Sequence, residues 1–372
     1  MARVLIIGGG IAGPVAATAL HKAGVEAAVY EAHPAPPDGA FLTLGVNGLA
    51  ALRAVDLVDA VYAAGRPARR VEIFRPDGVV ANSGPFGPPD DSGLVPQTLS
   101  RATLHKALTG EAIRRGISVE YGKRLVGAET GRAEFADGTY AEGDILIGAD
   151  GINSVTRRLI DPDAPAPRYV GQHLLYGFCD HAPQSVPSDT YHALRTSKLT
   201  FGMVGGPAES VWWFARIFAE EIPRDEAAAK TADDWRDQLL SSLGDDRTPM
   251  ARVVAATKNI GGHNGFDLPP VPKWYGDDMI IVGDAAHAAS PSAAQGASMA
   301  AEDAVVLAKC LRDIPEISRA FQTYERLRRP RVQLVVDVSA DLSRRPTDPR
   351  SASPTRANWL EDLRLDWQTP VS

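Results

Sequence analysis

The 372-residue sequence is poor in cysteine, in long uncharged apolar runs and in any excess of positive charge. Its two cysteines, Cys179 and Cys310, lie far apart with no metal-ligand or CxxC spacing, which excludes a disulfide framework and a zinc site. They read as small core residues. Lys plus Arg total 39 against 46 for Asp plus Glu, so a net charge of −7 gives no long-range pull on phosphate backbones or anionic lipid. Nucleic acid is not an expected partner. One long apolar run, residues 4–20 after Arg3, resembles the opening of an export signal, but Gly8, Gly9, Gly10, Gly13 and Pro14 interrupt it. Those breakers suit a strand, a tight turn and a new helix, so a cytoplasmic protein is expected. No other segment approaches the roughly 20 apolar residues that cross a bilayer, and no membrane partner is expected.

Hydrophobic residues at 44% and charged residues at 23% fit a soluble globular chain, long enough for two joined domains. Residues 3–7 form a β-rich run, 12–23 a helical run and 26–30 a second β run, giving a βαβ opening. A helix over 48–61 follows, and β-prone runs 68–74 and 79–82 flank Arg75-Pro76-Asp77-Gly78 as a hairpin. A Pro/Gly-rich loop over 84–96 leads to a helix over 101–115. Short β runs at 117–121, 134–135 and 145–147 come next, the last ending at Gly148-Ala149-Asp150-Gly151. From about 169 to 260 the pattern becomes short β-prone runs with one helical insert over 233–243. Alternating α/β character returns at 279–282, with helices over 296–311 and 316–326. The end, 344–372, is rich in Ser, Pro, Arg and Asp and reads as peripheral, with a turn of helix at 359–363. The expected fold class is α/β: a Rossmann-like nucleotide domain (1–70, 96–172 and 265–343) with an inserted antiparallel β-sheet domain (71–95 and 173–264) for the substrate.

Gly8, Gly10 and Gly13 form G-x-G-x-x-G directly after a β run. The first permits the tight turn, the second lets backbone approach a pyrophosphate, and the third allows close helix-to-strand packing. Donors at Ile11, Ala12 and Gly13 then open a helix whose dipole favours phosphate. Glu31, about twenty residues on, suits two ribose hydroxyls and repels a 2′-phosphate, so the nucleotide is FAD or NAD. The segment that discriminates is Gly283-Asp284-Ala285-Ala286-His287, followed by Ser290-Pro291 and Gln295-Gly296-Ala297-Ser298. An aspartate at a strand end can hold a ribityl hydroxyl. A helix starting at Gly296 can turn its free N–H groups toward a flavin N1–C2=O edge.

On these residues the chain resembles the single-component FAD-dependent aromatic hydroxylases of the para-hydroxybenzoate hydroxylase family, which includes tetracycline-inactivating monooxygenases. Three family motifs occur in order, the glycine turn, Asp150-Gly151 and Gly283-Asp284, and the resemblance spans roughly residues 3–331. It implies bound FAD, Asp150 at the cofactor, Asp284 on the ribityl chain and Arg101 on the flavin side chain or pyrophosphate. It also implies NADPH or NADH as a transient co-substrate docking on the flavin domain, because the second nucleotide domain is absent. In the implied reaction O2 adds at the flavin C4a, and the hydroperoxide transfers OH to an aromatic or polycyclic small molecule. The loop beside the ring is assigned to Pro291, Gln295 and Gly296, with Ala297 and Ser298, and no side-chain base is assigned. His287 supports that loop. Pro14, Ala294 and Ser298 depart from the common family pattern.

Strand alternation places Trp212 and Phe214 on one face and Trp213 on the other; at least one face reads as core and the other can line the pocket, with Trp212 and Phe214 as substrate candidates. Tyr176, Phe178, His192, Arg195, Phe201 and Met203 are further candidates for the substrate pocket, while Arg328, Arg329 and Arg331 read as a solvated or capping cluster. A monomer or homodimer is expected. An epoxidase or Baeyer–Villiger outcome uses the same cofactor chemistry. A halogenase would need a W-x-W-x-I-P stretch, which Trp212-Trp213-Phe214-Ala215-Arg216-Ile217 does not supply. A non-catalytic redox sensor would need a dedicated partner.

Overall fold

Strands that the opening residues nucleate form a parallel sheet of five, in the order Met279–Ile281, Ile145–Gly148, Arg3–Ile7, Glu26–Glu31 and Ser118–Tyr121. The computed structural model describes residues 3–35, 39–87, 92–244, 248–344 and 365–371. Both faces of this sheet are covered, which is why its central strand is an unbroken apolar run. Val4 and Ile6 pack against the helices Ala12–Lys22, Arg101–Arg114 and Gly296–Asp313. Leu5 and Ile7 pack against a three-stranded meander built from Leu125–Glu129, Arg132–Phe135 and Tyr140–Glu142.

A seven-stranded sheet forms the second layer, in the order Ile260–Asp267, Arg168–Cys179, Val211–Phe218, Leu199–Gly205, Thr190–Arg195, Arg70–Phe74 and Val80–Pro85. The expected hairpin around Asp77 supplies its last two strands. Thr190–Arg195 pairs parallel with Arg70–Phe74, so the sheet is mixed rather than antiparallel throughout. One face is backed by the helices Ala232–Leu243 and Met250–Ala256 over a core that includes Trp213, Trp235, Leu239 and Val253. The other face meets a small sheet of Phe41–Leu44, Gln97–Ser100 and Arg66–Pro67.

Several expectations are corrected. The helix over 48–61 is two, Val46–Ala54 and Val58–Ala64, because Asp56 turns the chain with φ 59°. The helix expected over 316–326 runs as Ile317–Ser343 through Pro330. A proline removes one backbone hydrogen bond there, but Arg328 and Arg331 on either side are anchored to Glu302 on the neighbouring helix. The helices Arg224–Ala229 and Met250–Ala256 were not expected. Part of the C-terminal segment is packed, not peripheral: Trp367 is buried beside Lys22 and Arg312, and Val371 N–H donates to Asp313. The turn expected at 359–363 lies outside the described residues. Among those residues, no helix is long and apolar enough to cross a membrane.

Candidate functional site

At the end of Arg3–Ile7 the chain must turn within contact of a neighbouring strand. Gly8 has φ +107°, and a Cβ there would lie 2.3 Å from Ala149 O. A Cβ on Gly13 would lie 1.9 Å from Gly8 O, so helix and strand approach as closely as backbone allows. Gly10 is different. A Cβ there would meet nothing within 4 Å, which leaves its side of the turn open to an incoming group. Ile11, Ala12 and Gly13 are the N-cap and first-turn residues of Ala12–Lys22, whose N–H groups have no acceptor inside the helix, and Pro14 has no N–H to orphan. Glu31 is pinned at its strand end by Gly9 N–H at 2.7 Å and His33 N–H at 2.8 Å, one on each oxygen. Open backbone donors beside a fixed carboxylate fit the pyrophosphate and ribose of a dinucleotide.

Only Ile145–Gly148 separates the glycine-turn strand from Met279–Ile281 in the sheet. A Cβ on Gly283 would stand 3.4 Å from both Ala12 Cβ and Ala300 Cβ, so two motifs from opposite ends of the chain share one edge. Asp284 is exposed there, with Oδ1 3.9 Å from where a Gly296 Cβ would be. Gly296, Ala297 and Ser298 form the first turn of Gly296–Asp313 and present their N–H groups in the same way. The side chains of this loop turn inward. Ser298 is fully buried and accepts from Gly45 N–H at 3.2 Å, and Gln295 accepts from Asn47 Nδ2 at 3.0 Å. The loop therefore offers a cofactor its backbone.

Asp150 accepts from Ser154 Oγ, Val155 N–H and Thr156 N–H at 2.5, 2.8 and 3.1 Å, so its carboxylate is engaged in capping the helix Val155–Ile160 and shapes the loop against Gly8. Arg157, missed from sequence, is 1% exposed and donates to Ala285 O and Ile152 O, tying the Asp150 loop to the Gly283 turn. Arg101 is exposed at the start of Arg101–Arg114, which Ser100 caps.

Beneath the Gly283 turn lies a buried ionic network. Asp303 accepts from Gly283 N–H at 2.9 Å, from Arg328 Nε at 2.6 Å and from His287 Nε2. Glu302 accepts from Asn47 Nδ2 at 2.6 Å and Arg331 Nε at 2.8 Å. Arg328 Nη1 lies 2.8 Å from Glu302 Oε2 but is too poorly aligned to count as a hydrogen bond, so that attraction is Coulombic. Burial pushes the Asp303 carboxyl up, yet His287 and Arg328 outweigh it and hold the group at about 2. Burial likewise opposes Glu302, and Arg328 and Arg331 bring it below its ordinary value. Arg328 is thus neither solvated nor a helix cap, and His287 has the carboxylate partner that was not visible in sequence. The network welds the Gly283 turn to the helices behind it.

The front face of the seven-stranded sheet reaches the loop that follows the Gly283 turn through Arg216, which donates to Ser292 Oγ. Trp212 and Phe214 meet Phe41 with ring centroids at 5.8 and 6.0 Å, and Phe178 packs on Trp212 at 5.4 Å. Tyr176, paired with Phe214, and Arg195, paired with Thr200, share that face. Phe201 and Met203 do not. Both are fully buried on the opposite face, Phe201 stacked on Trp213 at 5.5 Å over the backing helices. His192 goes the same way, against Phe74. Gly202, between the two misassigned residues, provides the floor on which the Phe214 ring lies, since a Cβ would come within 2.6 Å of it. Arg216 also belongs to the front face. Extending the alternation of 212 and 214 by two residues would have found it.

This fold and cradle define a flavoprotein oxidoreductase, and a sequence model described as FAD binding domain matches residues 1–339. The chain belongs to that family. It is 31% identical over 335 residues to an aurachin C monooxygenase/isomerase of Stigmatella aurantiaca, covering 87% of this chain and 84% of the relative. It is 30% identical over 346 residues to a 3-amino-4-hydroxybenzoate 2-monooxygenase of Streptomyces cremeus, covering 88% and 84%. The crystal structure of Klebsiella pneumoniae HpxO complexed with FAD and uric acid superposes with a TM-score of 0.82 at 25% identity, covering 92% of this chain and 88% of that one. The enzyme is an FAD-dependent monooxygenase, with NAD(P)H the reductant typical of the family.

Proposed function

We propose that this chain hydroxylates an electron-rich aromatic or polycyclic small molecule with NAD(P)H and O2, holding FAD along the shared edge of the Gly8 and Gly283 turns. The observation that carries the reading is the close approach of Gly283 to Ala12, where a Cβ on Gly283 would stand 3.4 Å from Ala12 Cβ, so that one extended ligand could run from Glu31 to Gly296. Glu31 would take the ribose hydroxyls, Gly8, Gly10, Ile11, Ala12 and Gly13 with Arg101 the pyrophosphate, and Asp284 a ribityl hydroxyl. N–H groups of Gly296, Ala297 and Ser298 would face the ring edge, where a helix N-terminus favours negative charge. FAD, when bound, supplies the electron transfer and oxygen chemistry.

The chain's own work is to place the ring and exclude water. Pro291, Gln295 and Gly296 border the ring, and Tyr176, Trp212 and Phe214 face it as a wall on which a flat substrate can stack. No side-chain base is assigned. Residues 1–70, 96–172 and 265–343 would form the FAD unit and 71–95 with 173–264 the substrate unit of a cytoplasmic monomer or homodimer. Purified protein should be yellow, oxidise NAD(P)H faster when substrate is added, and place one atom of 18O2 in the product across a panel of phenols and polycyclic aromatics. Colourless protein that takes up no FAD would defeat the reading.

A further inference from the structure

Arg216 is a buried cation with no anionic partner among the described residues. On Val211–Phe218 it alternates with Trp212 and Phe214, so its side chain leaves the sheet on their face. It is 9% exposed; Nη1 donates to Ser292 Oγ, beside Pro291, and Nε has no acceptor among the described residues. Among the described residues the charged group felt most at Arg216 is another cation, Arg195. The row across the sheet reads His263, Leu174, Arg216, Thr200, Arg195, with three basic side chains and no acidic one. Burial, then Arg195, pulls the guanidinium down to about 10, so it stays charged at neutral pH in a place that opposes charge.

A structural use for that charge lies close by. The C-terminal end of Ile317–Ser343 reaches the same corner, where Ser343 Oγ lies 2.5 Å from Ser292 Oγ. Carbonyls at a helix end carry partial negative charge. Yet Leu342 O is met by Arg195 and Ser343 O by Gln172, and neither accepts from Arg216. A buried, hydrogen-bonded cation with a free Nε beside an aromatic wall is arranged to meet an anion that arrives with a ligand.

Resting on the hydroxylase reading, we propose that Arg216 is a specificity-determining residue of the substrate pocket, selecting aromatic substrates that carry an anionic oxygen, with Ser292 holding the guanidinium at the flavin-ring loop. A planar guanidinium suits a carboxylate or phenolate better than a neutral amide, because the charge is matched and two parallel hydrogen bonds can form.

The test is equilibrium binding to the FAD-loaded enzyme, read from the perturbed flavin absorbance and needing no turnover. Matched probes are salicylate with salicylamide, anthranilate with anthranilamide, and 1-hydroxy-2-naphthoate with its amide. At least one acid should bind about tenfold or more tightly than its amide. That preference should fall to near one in Arg216→Met and be partly kept in Arg216→Lys. If Arg216→Met fails to fold, the wild-type pairs and Arg216→Lys still decide. The proposal is overturned if wild type shows no acid-over-amide preference, whether both probes bind alike or neither binds, or if the preference survives Arg216→Met. A lower Tm in Arg216→Met without any acid preference in wild type assigns Arg216 to the helix end and overturns it too. Protein that takes up no FAD removes the hydroxylase reading itself, and this proposal with it.

Discussion

The two walls of the proposed site are made of different materials. On the parallel-sheet side the cradle is backbone: the Gly8 turn, the first turns of two helices, and carboxylates fixed by N–H groups. On the seven-stranded side it is side chain, an aromatic surface that ends in Arg216. A backbone cradle grips the part of a ligand common to a whole family, since it depends on little besides glycine and helix geometry. A side-chain wall can be rewritten one residue at a time without disturbing the cradle, which is how one fold can serve many substrates.

The largest expected effect probes what lies behind the backbone wall. Arg328→Met leaves Glu302 and Asp303 short of their buried cation and should cost about 3–5 kcal/mol in denaturant unfolding. A loss below about 1 kcal/mol would mean the network does not hold the Gly283 turn. On the other wall, the two faces of the sheet should separate cleanly. Phe201→Ala should cost about 3–4 kcal/mol of stability and leave ligand affinity alone, because that ring is sealed against Trp213. Phe214→Ala should cost less stability and weaken aromatic ligands; the reverse pattern would put the pocket on the helix-backed face.

If Asp284 holds a ribityl hydroxyl as proposed, Asp284→Ala would remove a charge-assisted hydrogen bond of roughly 1.5–3 kcal/mol and should loosen FAD about ten- to hundredfold in a titration, with the fold intact. Unchanged affinity would return the whole cradle to backbone. Acid should act on the network last. Asp303 binds its proton less readily folded than unfolded, so its stabilisation is complete above the ordinary carboxylate value near 4 and drains away as the pH falls toward about 2. The loss should be on the order of 2 kcal/mol in unfolding curves taken across that window, and smaller in Asp303→Asn.

The glycine turn, Glu31 and the Gly283-Asp284 strand end were legible because each answers a local demand that few residue types meet: a positive φ, a contact no Cβ could survive, or a carboxylate at a strand end. Alternation on Val211–Phe218 was legible too, and correctly separated Trp213 from Trp212 and Phe214. It could not say which face the backing helices would cover. Phe201, Met203 and His192 were therefore placed on the wrong side, and Arg216 passed unnoticed. Arg328 read as solvated because its neighbours in sequence are arginines, whereas its partners lie on a different helix.

By itself, then, the order of residues determined the cofactor class and the family, since period, turn chemistry and close-packed glycines are properties of short stretches of chain. Tertiary structure alone decided which sheet face the helices cover, which arginines were buried, and that Arg216 meets Ser292 with no acidic partner among the described residues. Those outcomes depend on which distant surfaces meet, and no short stretch of chain carries that information.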